Sequence, residues 1–179
     1  MQAKDKQILL GIMAVIVVGV AVVILWSVHS RSIPEFNVKP VPKNAPTLNE
    51  ADIEKVLGVE QFRVVRRVRQ VPIAVKESFS NFTGLPFDLA DPGEEIGSDM
   101  IVPGKSSRRL VFLGLSDDSA VLVYEQGGYV GFCNAVVFWF EEGGRDWGGT
   151  LEYVPVPKDI SSLKAVVQKG KFHPWERRE

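Results

Sequence analysis

Side chains that do chemistry are scarce in this chain, which has one cysteine and two histidines in 179 residues. A single thiol, Cys133, can form no internal disulfide and so marks neither an oxidising nor a reducing compartment. Zinc binding calls for Cys and His at ligand spacing, and His29, Cys133 and His173 stand far apart in the chain. Nucleophilic catalysis needs a base beside a Ser or Cys. Cys133 instead sits inside an apolar run and reads as an inert core thiol. No P-loop, dinucleotide-binding glycine pattern or haem-attachment motif occurs. The formal net charge of −1, with no broad basic face, speaks against a nucleic-acid partner. These absences point to a protein that is not an enzyme and that uses no cofactor or metal.

Charge is also missing from Ile8 to Val28, ILLGIMAVIVVGVAVVILWSV. At about 1.5 Å per residue a helix over this run spans roughly the 30 Å of a bilayer's hydrocarbon core. A helix is required there because lipid offers the backbone no hydrogen-bond partners. The run exceeds the apolar stretch of a signal peptide, and Trp26, Val28 and His29 stand where small residues would be needed for cleavage. It therefore reads as an uncleaved signal anchor, with residues 1–7 as a short tail before a transmembrane helix over 8–28. Trp26 and Arg31 are placed at the membrane interface. Lys4 and Lys6 flank the span closely, against Arg31 and the more distant Lys39 and Lys43. That balance puts the amino terminus in the cytoplasm and the body of a single-pass protein in the periplasm. Gly11, Ala14 and Ala21 share one sector of the helix and suit either a close helix partner or plain lipid contact. With no charge inside it, the span offers no proton relay or ion path.

Residues 29–46 contain Pro34, Pro40, Pro42 and Pro46 and should be extended. They form a spacer, or a strap along a neighbouring protein on which Phe36 and Val38 would dock. Residues 47–179 are long enough for one domain with a real core. Thr47 to Glu50 spells a capping box, predicting a helix through Leu57 that stops at Gly58. Gln61–Val71 reads as a strand carrying Arg63, Arg66, Arg67 and Arg69. This densest charge cluster suits an acidic partner or anionic headgroups, or else the guarded edge of a sheet. A helix is predicted from Pro72 to Phe82, ended by Gly84. The loop after it holds Asp88, Asp91, Glu94, Glu95 and Asp99, which read as turn residues before a calcium site.

Arg109–Leu115, Ala120–Gln126 and Tyr129–Phe140 are apolar runs, and Thr150–Pro155 returns as a fourth strand after a turn over Gly143–Gly149. Gly127-Gly128 signals a two-residue hairpin, placing Gln126 opposite Tyr129, Tyr124 opposite Gly131, Leu122 opposite Cys133 and Ala120 opposite Ala135. The fold class is thus α+β, an antiparallel meander covered by short helices. The long strand has a bulky face (Phe132, Val136, Phe138) and a shallow one (Gly131 to Val137). Both are apolar and need cover, the shallow one by a helix or as a pocket. Asp159 or Ser161 should cap a last helix ending at Gly170. The tail is expected to fray, with Trp175 available to a partner or the membrane interface.

The function these features suggest is an accessory or assembly subunit of a larger integral membrane protein complex, of energy-transducing or secretion type. The folded part would be its protein–protein interaction module. The alternative is a tethered periplasmic module that captures a small ligand or peptide on the Gly131–Ala135 face.

Overall fold

Val, Leu and Phe crowd the stretch from Leu110 to Trp139, and these residues build the centre of the fold. The computed structural model describes residues 36, 38–59, 61–97, 104–128, 132–141, 143–151 and 155–175. The Ile8–Val28 run, with Trp26, and Arg31 beyond it lie outside them. Among the described residues no helix is long and apolar enough to cross a membrane. A six-stranded sheet runs in chain order through β1 (Arg63–Val65), β2 (Arg108–Leu115), β3 (Ser119–Gln126), β4 (Phe132–Trp139), β5 (Arg145–Leu151) and β6 (Phe172–Pro174). Every neighbouring pair is antiparallel. With α1 (Glu50–Leu57), α2 (Ile73–Thr83) and α3 (Ile160–Gln168), the domain is α+β.

Both faces of the sheet are buried. On one, Leu110, Leu113, Leu122, Tyr124, Val136 and Phe138 pack with Val75 and Phe79 of α2. On the other, Phe112, Val121, Val123, Ala135, Val137 and Trp147 pack with Ile53, Val56 and Leu57 of α1 and Leu163 of α3. The shallow face of β4 thus receives helices. The register slips between Leu110 and Phe112. That irregularity at Val111 shifts the in–out alternation by one residue and sends Leu110 and Phe112 into different cores.

Several sequence expectations are corrected. Gln126 pairs with Phe132, Tyr124 with Asn134, Leu122 with Val136 and Ala120 with Phe138, so residues 127–131 intervene between β3 and β4. A strand that is apolar on both faces does not announce its register. What selects it is volume, with Ala120 opposite Phe138 and Ala135 opposite Val123. The fourth strand of the meander begins at Arg145, because Gly148 and Gly149 are strand residues held bare by close neighbours. The expected strand over Gln61–Val71 shrinks to β1, after which Val68–Gln70 coil into a 3-10 turn. Thr47 does not cap α1: it is bridged to Asp146 of β5, and Asn49 accepts the Asp52 amide instead at 2.9 Å. Helix α2 ends as expected at Gly84 (φ 69°), and α3 starts in a capping box made by Asp159 and Ser162.

The proline-rich segment also differs from a free spacer. The compact unit begins at Phe36. Val41 and Ala45 are buried, and the Val41 backbone donates to Ser78 Oγ at 2.8 Å and accepts from Asn81 Nδ2 at 2.8 Å. Residues 41–45 are thus a strap along α2 of the same chain. The described part of the tail is also engaged, since β6 (Phe172–Pro174) pairs with β5.

A Cβ on Gly149 would lie 2.3 Å from the His173 carbonyl oxygen and 2.4 Å from the Phe172 ring. Gly149→Ala is accordingly expected to destabilise the domain by about 1–3 kcal/mol. Urea unfolding followed by tryptophan fluorescence measures this. A midpoint equal to the wild type's would contradict the β5–β6 pairing.

Candidate functional site

The four arginines of the cluster part company in three dimensions. Arg63 is half-buried on β1, its Nε enclosed with no hydrogen-bond partner. Arg66 is exposed and donates from Nη2 to the Lys158 carbonyl at 2.7 Å, tying the end of β1 to the entrance of α3. Arg67 reaches Asp91 at 3.6 Å from a largely exposed position, a geometry that contributes little. Arg69 is exposed on the 3-10 turn. Two large apolar side chains stand open along the same stretch of chain, Val64 at 43% exposure and Ile73 at 71%. β1 is the outermost strand, so Val64 stands exposed on an edge strand, with the exposed arginines following it in the chain and Ile73 at the start of α2.

The other expected contact residues are engaged within the domain. Phe36 packs edge-on against Phe140, with ring centroids 5.3 Å apart, and Val38 is half-buried beside it in sequence. Trp175 stacks on Phe82 at 5.8 Å, and its indole N–H donates to Thr150 Oγ1 at 3.0 Å. That hydroxyl in turn donates to the buried Asn134 Oδ1 at 2.9 Å. In the acidic loop, Asp91 accepts the Val68 amide at 2.6 Å, Glu94 accepts the Asp91 amide at 2.8 Å and Glu95 pairs with Lys105 at 2.8 Å. Lys105 holds the Glu95 carboxyl below the usual range. Among the described residues no group of three or more His, Cys, Asp or Glu is placed to hold a metal ion.

Sequence reasoning missed two features. Arg108 is buried against the face of Phe79, 5.4 Å from the ring centroid, and donates to the Pro86 carbonyl at 2.9 Å. Of two adjacent arginines at the start of a strand, Arg108 and Arg109, the sequence gives no sign which will turn inward. The second is a groove of about 510 Å³ lined by Ile53, Glu54 and Leu57 of α1, Val167 of α3, Trp147 of β5 and Phe172 of β6. Its floor is the Trp147–Phe172 stack, with centroids 4.0 Å apart. Trp147 and Phe172 come from segments read as a turn and a frayed tail, so no sequence pattern could join them. The described part of the expected Gly131–Ala135 face is closed, with Cys133 and Ala135 buried.

Cys133 is a buried thiol whose pKa burial raises to about 12, aided by the charge of Glu125. Burial likewise pushes the Tyr124 phenol upward. Iodoacetamide at about pH 8 is expected to spare Cys133 in the folded chain and to label it in guanidinium chloride. The unfolded thiol loses its proton near 9.0 and the folded one near 12. Between those values the unfolded state binds fewer protons, so stability falls as pH rises. Cys133→Ala should remove that share of the alkaline loss. Rapid labelling of the native protein would refute the burial.

Comparison with protein-family models, with curated proteins and with solved structures finds no match to this chain.

Proposed function

We propose that this chain is a non-catalytic, single-pass accessory or assembly subunit of a larger integral membrane complex. In this reading the Ile8–Val28 run crosses the inner membrane, the amino terminus is cytoplasmic and the α+β domain stands in the periplasm as an interaction module. The observation that carries it is the stretch from β1 to the start of α2, along which Val64 and Ile73 stand exposed in the same run of chain as the exposed Arg66, Arg67 and Arg69. Exposed aliphatic surface beside arginine suits contact with another protein, since arginine is enriched at interfaces and presents a fixed fork of donors. The three-residue edge is too short to recruit strands indiscriminately. The one thiol is sealed in the core, in keeping with a binding role.

Changing Arg66, Arg67 and Arg69 together to Glu is expected to strip the chain from its complex when membranes are solubilised in mild detergent. The wild type should co-purify in fixed stoichiometry. A wild-type chain that runs as a free monomer, or a charge-reversed chain that stays bound, would overturn the proposal.

Topology has its own test. Lys171 is exposed, and Cys133 is buried. In the Cys133→Ala background, Lys171→Cys should react with a membrane-impermeant maleimide once the outer membrane is permeabilised. Labelling only after lysis would place the domain on the cytoplasmic side.

A further inference from the structure

The groove over β5 and β6 carries unused charge on both walls. Glu50 and Glu54, one helical turn apart on α1, line it from one side, and Lys164 of α3 lines it from the other. No ion pair among the described residues uses any of the three. This contrasts with Asp52 on the same helix, which is bound to Arg145 at 2.7 Å. Between the walls lies an apolar floor built on the Trp147–Phe172 stack. A cavity of about 510 Å³ falls within the range that holds a ligand or a few side chains, roughly 300–1,000 Å³.

We infer that this groove is a second docking site, for a peptide segment of a partner subunit in which basic residues adjoin a large apolar side chain. The apolar side chain would lie over the floor, where Trp147 and Phe172 are largely covered and each keeps 8% exposure. The basic residues would meet Glu50 and Glu54, whose carboxylates flank the same mouth one turn apart. Lys164, opposite, would take a backbone carbonyl or carboxylate farther along the segment. Two acids against one lysine select a cationic segment over an anionic one by charge complementarity. The inference rests on the reading of the domain as an interaction module, but it uses a surface that excludes the β1 edge.

The test is fluorescence polarisation of labelled peptides against the full chain in a nonionic detergent. Three C-terminally amidated peptides share one length and carry Lys-Lys-Leu-Phe, Glu-Glu-Leu-Phe or Lys-Lys-Ser-Ser at their centre. The first is expected to bind at least tenfold more tightly than either of the others. Glu50→Lys with Glu54→Lys, both exposed positions, should reverse the order of the first two while leaving the domain folded, with unfolding shifted by only a few degrees through the loss of an acid from the first turn of α1. Equal affinity for the three peptides, no saturable binding, or a wild-type order in the double variant would overturn the inference. So would unfolding of the double variant, since it would give the two acids a structural role. Such a failure is distinguishable from failure of the subunit reading, which is decided by co-purification and by the arginines of β1.

Discussion

The sheet is apolar on both faces, and the rest of the domain is arranged to keep both from water. Antiparallel sheets commonly leave one face solvated and alternate polar with apolar residues. Here Ala120, Val121, Leu122 and Val123 of β3 are all fully buried, although successive side chains point to opposite sides. Cover is therefore needed twice. Helix α2 and the strap through Val41 and Ala45 supply it on one side, and α1 and α3 on the other. The strap is held by Ser78 and Asn81, two polar residues of α2, which satisfy the backbone of the buried Val41.

The covering helices are short, and this sets where the surface is left open. At the β5–β6 end Gly148 and Gly149 are bare, so that the Phe82 and Phe172 rings can lie against the backbone. Helices α1 and α3 meet that end with charged residues, which leaves a walled groove over Trp147 and Phe172. At the other end, β1 is only three residues long, with Val64 on it and Arg66, Arg67 and Arg69 after it exposed. The two open surfaces thus stand at opposite edges of one sheet, β1 and β6 being its outermost strands.

The cation–π contacts around Trp139 show how polar residues serve the same arrangement. Lys55 and Arg145 lie 4.4 Å and 4.8 Å from its ring centroid, and Arg145 also binds Asp52. The first helix is thereby tied to β5 across a ring that is itself part of the core. Such pairs are worth on the order of 1 kcal/mol where they are partly desolvated. Their larger effect is to fix the position of α1, and with it the wall that carries Glu50 and Glu54.

The amino-acid sequence by itself determined the α+β class, the three helices, the central strands and the burial of Cys133. Each of these follows from local information: apolar spacing, caps such as Asp159, and stops such as Gly84 and Gly170. The β1 arginines were legible as a cluster for the same reason, and so was the apolar run that reads as an anchor. Tertiary structure alone decided the strand register, the strap, the docked tail and the groove. Two apolar faces permit more than one register, and the match of Ala120 to Phe138 operates between strands. Gly148 and Gly149 look like a turn until Phe82 and Phe172 come to lie on them. Trp175 looks free until Thr150 offers it a hydroxyl. In each case the deciding atom belongs to a residue distant in the chain, and contacts of that kind leave no period or spacing in a sequence to be read.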